Sequence, residues 1–165
     1  MRKLTVVFTR SKKKFAIGSW AIMAWTFKKY SHVALRFDSK IFSSPTYYQS
    51  SEGLVNYMSG SQFDKKHLIV KEIEIKVPDE LYSEIRNTCH EEAGANYGFL
   101  QNIGIVLADL ADLVGIKIKN PWKEGRNCSE LLYLKVLKPM GIGSADPDLI
   151  KPHHIEKLLT TSYRR

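Results

Sequence analysis

HLIVKEIEIKV, residues 67–77, is the stretch on which the fold turns. Val70, Ile73, Ile75 and Val77 include a clean alternation against Glu72, Glu74 and Lys76, and a period of two belongs to a strand with one face in a core, not to a helix. Upstream, LTVVF (4–8) is a short β-branched and aromatic run closed by the polar TRSKKK, which predicts a buried strand and then a turn or basic loop. SHVALRFD (31–38) sets Val33, Leu35 and Phe37 against His32, Ala34 and Arg36. This predicts a half-buried strand with His32 at its start. SKIFSSPTYYQSSEGLVNY (39–57), punctuated by Pro45 and Gly53, adds one or two strands with irregular edges.

Helical spacing alternates with these strands in a coarse order. Trp20, Met23, Ala24 and Phe27 recur at three and four residues and close in Lys28 and Lys29, which predicts a helix over 19–29. PDELYSEIRNTCHEEAG (78–94) opens with Pro78 and Asp79 and ends at Gly94, residues that suit a helix start and stop. YGFLQNIGIVLADLADLVGI (97–116) carries Leu100, Ile103, Val106, Leu107, Leu110, Leu113 and Val114 at helical spacing, predicting a helix buried on a broad face. A linker, KIKNPWKEGRN (117–127), leads to a helix from about Cys128 to the breakers Pro139 and Gly141. A last short helix begins around Pro152 in DPDLIKPHHIEKLL (146–159). Strand, helix, several strands, then helices is an α+β layout, and 165 residues suit a single domain spanning 1–165.

The 25 Lys and Arg against 17 Asp and Glu give a net charge of +8, so the surface should favour anionic polymers or lipid. Arg10, Lys12, Lys13, Lys14, Arg164 and Arg165 hold much of the excess near the termini. No zinc, helix-turn-helix or aromatic-basic signature accompanies them, which argues against a nucleic-acid partner. The N-terminal apolar run of five residues falls short of the ~7–15 of a signal peptide, so the chain is expected to be cytoplasmic as made. AIGSWAIMAWTF (16–27) is shorter than the ~20 residues of a membrane span, and 103–116 is interrupted by Asp109 and Asp112. No transmembrane segment is expected. Two cysteines without CxxC or HExxH suggest neither a disulfide framework nor a metal site.

The two thiols read differently. Cys89 follows Leu81, Tyr82 and Ile85 along an apolar helical stripe, while its neighbour His90 points about 100° away. Cys89 is therefore a core residue. Cys128 precedes Leu131, Leu132 and Leu134 and stands beside Asn127, an N-cap candidate. Free N–H groups and the positive dipole end stabilise a thiolate there, though position alone leaves both nucleophile and core residue open. Of the five histidines, His67, His90, His153 and His154 have ready surface explanations, while His32, at the edge of a strand, can face an adjoining helix terminus. That spacing equally suits an ordinary strand-end histidine.

SHVALRF, then YYQSSEGLV, GANYGFLQNIG, NCSELLYLKVL and the terminal DPDLIKPHHIEKLL together resemble, in order and spacing, the circularly permuted branch of the NlpC-like, papain-fold cysteine hydrolases. The resemblance covers nearly the whole chain and implies a central antiparallel sheet packed against helices. It implies Cys128 as nucleophile, His32 as base and Tyr97 as an oxyanion contributor, with no metal or organic cofactor. Tyr97 equally suits aromatic packing at a helix start. The residue that orients the imidazole falls on Gln49, with Ser43 or Glu52 as alternatives if the strand register slips by one. A glutamine amide fixes an imidazole tautomer but supplies no charge. Peptide amides of the cell-wall type come first as substrate. Lipid acyl transfer, thioester cleavage, or an inactive basic binding module are the alternatives. A cell-wall role would need lysis, another export route or assembly into a phage particle.

Overall fold

The computed structural model describes residues 1–13, 16–38, 45–51, 54–96, 98–119 and 127–162. Five antiparallel strands form one sheet, β1 (Arg2–Ser11), β2 (His32–Phe37), β3 (Thr46–Ser51), β4 (Leu54–Ser59) and β5 (His67–Val77), in the order β4-β3-β2-β1-β5. The helices are α1 (Ile17–Thr26), α2 (Gly60–Lys66), α3 (Asp79–Glu91), α4 (Phe99–Leu113), α5 (Cys128–Leu132) and α6 (Pro152–Ser162). The α+β arrangement read from the sequence is the one observed.

Both faces of the sheet are covered, and the strand alternation sorts side chains between them. Leu4, Val6 and Phe8 of β1 and Val33, Leu35 and Phe37 of β2 join Tyr82, Ile85 and Cys89 of α3 and Leu131, Val136 and Leu137 of the Cys128 helix in the main core. The opposite face buries Val7, Ala34, Tyr47 and Met58 beneath Phe63 of α2, whose ring stacks on Tyr47 at 3.9 Å and 4°. β2 is thus buried on both sides, where its alternation predicts burial on one. Ala34 is small enough to accept that second cover.

Three further expectations need correction. Thr9, Arg10 and Ser11 do not turn but extend β1, because β5 runs far enough to pair Arg10 with Leu68 and Ser11 with His67. Val70 lies on the exposed side of β5, out of step with Ile73, Ile75 and Val77. Among the described side chains of α4, Gly104, Ile105 and Ala108 form a narrow buried stripe, while Ile103, Leu107, Leu110 and Leu113 are exposed. Its broad apolar face is only partly covered among the described residues, least of all at Leu113 and Val114. The terminal charges Lys14, Arg164 and Arg165 lie outside the described residues.

Two features of the sheet prepare the site. The β2–β3 register runs from Phe37↔Thr46 to Leu35↔Tyr48; beyond it, His32 and Val33 pair with β1 and Gln49–Ser51 pair with β4. The α5 helix packs against both β2 and β3. Glu156 of α6 meanwhile accepts from Lys71 of β5 at 2.6 Å, from Lys28 at 3.0 Å and from the Tyr30 hydroxyl. It ties the last helix to the segment that leads into His32.

Candidate active site

Asn127 begins the site by building a helix start. Its side-chain oxygen accepts the N–H groups of Ser129 at 2.9 Å and Glu130 at 2.8 Å, and its carbonyl accepts that of Leu131 at 3.0 Å. This is the N-cap expected beside Cys128. Past Leu132 the helix widens over Tyr133–Leu137, with Lys138 N–H bonded to the Tyr133 carbonyl. Five-residue spacing of this kind is rare and frequent near functional positions.

Cys128 occupies the first helical residue and is only 7% exposed. Burial pushes its thiol up, but the His32 charge, a hydrogen bond with His32, the Val33 backbone N–H and the Ser129 hydroxyl outweigh that and hold it below the ordinary thiol range. For His32, burial acts to lower the imidazole; the Cys128 charge and its hydrogen bonds to Cys128 and Gln49 leave it raised. Opposite shifts at two groups in contact favour the thiolate–imidazolium pair.

His32 Nε2 lies 2.9 Å from Gln49 Oε1. An amide oxygen only accepts, so Nε2 carries the proton and Nδ1 is the nitrogen left to meet the thiol. The Gln49 side chain is itself buried, with its Nε2 donating toward Met58 Sδ at 3.7 Å. Cys128, His32 and Gln49, distant in sequence, therefore come together. Ser43, Glu52 and Tyr97 lie outside the described residues.

One participant has no signal in the local sequence. His67 stacks on His32 with ring centroids 5.2 Å apart, and Phe63 stacks on the far side of His67 at 4.5 Å. Its surface reading from sequence is corrected: it is half-buried at the start of β5, brought there by the pairing of β5 with β1 and the irregularity between Phe8 and Thr9. His153 and His154 are likewise half-buried, and burial, with the neighbouring His154 and Lys151 charges, lowers His153 to about 4. His90 is exposed as expected. Cys89 is fully buried and pushed up to about 12, chiefly by that burial.

A narrow cavity of about 30 Å³ adjoins the thiol, lined by Cys128, Ser129, Ser31 and the apolar Ile22, Trp25 and Ile105 among others. Trp25 is held by a 2.7 Å bond from its indole N–H to Asp109 Oδ2, which also pairs with Lys151. Among the described residues no group of three metal-binding side chains occurs, and no helix is long and apolar enough to cross a membrane. No family model, curated protein or solved structure matches this chain.

Proposed function

We propose that this protein is a thiol-dependent hydrolase or acyl-transfer enzyme of the permuted NlpC-like, papain-fold type. The observation that carries the reading is the buried relay Cys128–His32–Gln49, in which the thiol is lowered, the imidazole raised and its tautomer set by an amide oxygen. A structural cysteine at the same depth behaves as Cys89 does, with its thiol pushed up.

His32 Nδ1 takes the thiol proton, and the Cys128 sulfur attacks an amide or ester carbonyl carbon. The carbonyl oxygen becomes an oxyanion beside the Cys128 N–H, which stands outside the Asn127 cap at the positive end of the helix. His32 returns its proton to the leaving amine or alcohol as the tetrahedral centre collapses to a thioester. Water, deprotonated by His32, then releases the acid and restores the thiol.

Peptide amides are the first substrate class that the family order suggests. The apolar side chains of Ile22, Trp25 and Ile105 beside the thiol suit a second, an acyl ester or thioester. Incubation with short peptide anilides and with acyl thioesters, followed by mass analysis of the intact protein, tests both. Turnover and an acyl adduct on Cys128 are expected for the parent and neither for Cys128→Ala. Turnover that survives this substitution sinks the reading.

A further inference from the structure

The outer faces of α1 and α4 form an apolar surface next to the thiol cleft. The two helices meet at their C-terminal ends, where Ala24, Trp25, Phe27, Asp109, Asp112 and Leu113 enclose a shallow recess of about 440 Å³. Phe27 is 94% exposed, Leu113 77% and Val114 72%, with Ile116 following at 58%. Scattered exposed apolar residues need no explanation, but a contiguous set on two adjoining helices does.

Phe27 adds an independent observation. It caps α1 with φ of +53° and ψ of +34°, and is the one non-glycine residue of positive φ among those described. That backbone region suits glycine or asparagine at a helix end. A bulky aromatic side chain held there in full contact with solvent works against stability twice, through the backbone and through exposure, so the position serves something other than folding.

The surrounding charge identifies the occupant. Lys29 lies two residues past Phe27, and Lys117 and Lys119 follow Ile116 in the chain, while Lys28 is engaged by Glu156. Of the two carboxylates that line the recess, Asp109 is engaged by Trp25 and Lys151, which leaves Asp112 at the rim. Lysines around an apolar aromatic face suit an anionic bilayer, whose headgroups meet the cations while the rings and leucines enter the acyl boundary. A symmetric second copy would instead bring like lysines together. Among the described residues no helix is long and apolar enough to span a membrane, and such a surface would lie on the bilayer.

We infer that the α1–α4 surface, with Phe27 and Leu113 at its centre, docks this protein onto anionic lipid bilayers. Docking brings the Cys128 cleft to the membrane, because Trp25 lines both the recess and the cavity at the thiol.

Cosedimentation with phosphatidylglycerol and with phosphatidylcholine vesicles, at low and high salt, tests this. The parent and Cys128→Ala should both bind phosphatidylglycerol vesicles, with weaker binding to phosphatidylcholine and at high salt. Phe27→Asn with Leu113→Ser should lose binding while melting no lower than the parent, because asparagine accepts positive φ and neither side chain is packed. Absence of vesicle binding by the parent overturns the inference, as does full binding by the double variant. A parent that sediments as a dimer dissociated by the same two substitutions also overturns it, since the face is then covered by a second copy. Retained vesicle binding by Cys128→Ala makes the result independent of thiol chemistry, so the two readings fail separately.

Discussion

The amide oxygen of Gln49 lies 2.9 Å from His32 Nε2 at a point where β2 and β3 no longer pair with each other. The α5 helix packs against both strands there, and His32 hydrogen-bonds the thiol as well as the amide.

Gln49→Ala should lower turnover by about 10–100-fold, the equivalent of a hydrogen bond to a charged group at about 1.5–3 kcal/mol. Gln49→Glu places a carboxylate against the imidazolium and should raise the His32 pKa further, moving the alkaline limb of the pH–rate profile upward. Rate profiles for the two variants decide the matter. An unmoved alkaline limb in Gln49→Glu would show that Gln49 does not face the reacting imidazole.

Glu156 supplies a test of how the site is held. Its carboxyl is lowered to about 2; burial opposes this, and the bonds from Lys71, Tyr30 and Lys28 outweigh it. A carboxylate depressed on folding stabilises the protein above its unfolded pKa of about 4.5, and that contribution fades as pH falls toward 2. Glu156→Gln should therefore cost about 1.5–3 kcal/mol at pH 7, and much less at pH 3. Urea titrations of parent and variant at the two pH values check this; an equal gap at both would assign the loss to packing.

How much was legible follows from where each signal resides. β5 and β2 carry their pattern within a few consecutive residues, so Ile73–Val77 and Val33–Phe37 declare themselves. Cys128 beside Asn127 is likewise a local signal, because an N-cap is written in two adjacent residues. α2 was not read at all, since GSQFDKK has one large apolar residue, Phe63, and no repeat of it. His67 beside His32 depends on β5 crossing to pair with β1, a long-range choice that no window of sequence contains. For α4 the spacing locates the helix but not its buried side, which is Gly104, Ile105 and Ala108, because periodicity cannot say which face a neighbour covers.

Gly143 tests the placement of α6. It sits at φ of +71°, and a Cβ there would come within 2.3 Å of Leu158 Cδ2. Gly143→Ala should destabilise by about 1–3 kcal/mol through backbone and overpacking together. Adding Leu158→Ala removes the collision but not the backbone cost, so the double variant should lose less than the sum of the single losses. Strict additivity in denaturant titrations would remove Leu158 from the account.

The sharpest test concerns the two thiols in one protein. In the native state Cys89 is buried and pushed up to about 12, while Cys128 is lowered and opens onto the cavity. Iodoacetamide followed by peptide mass analysis should therefore modify Cys128 alone until the chain is unfolded. The Cys128 rate should rise with pH at an apparent pKa below the ~8.5 of a free thiol, because thiolate is the reacting form. His32→Ala takes away both the charge and the hydrogen bond that lower the thiol and leaves burial, which raises it. The inflection should then move above the free-thiol value, and labelling at neutral pH should fall by at least about tenfold, one pKa unit of thiolate. A turnover profile bounded below by Cys128 ionisation and above by His32 deprotonation follows from the same pair. Labelling of Cys128 with an inflection near 8.5 in both proteins would mean that the imidazole and the thiol do not share a proton, and the hydrolase assignment would fall with it.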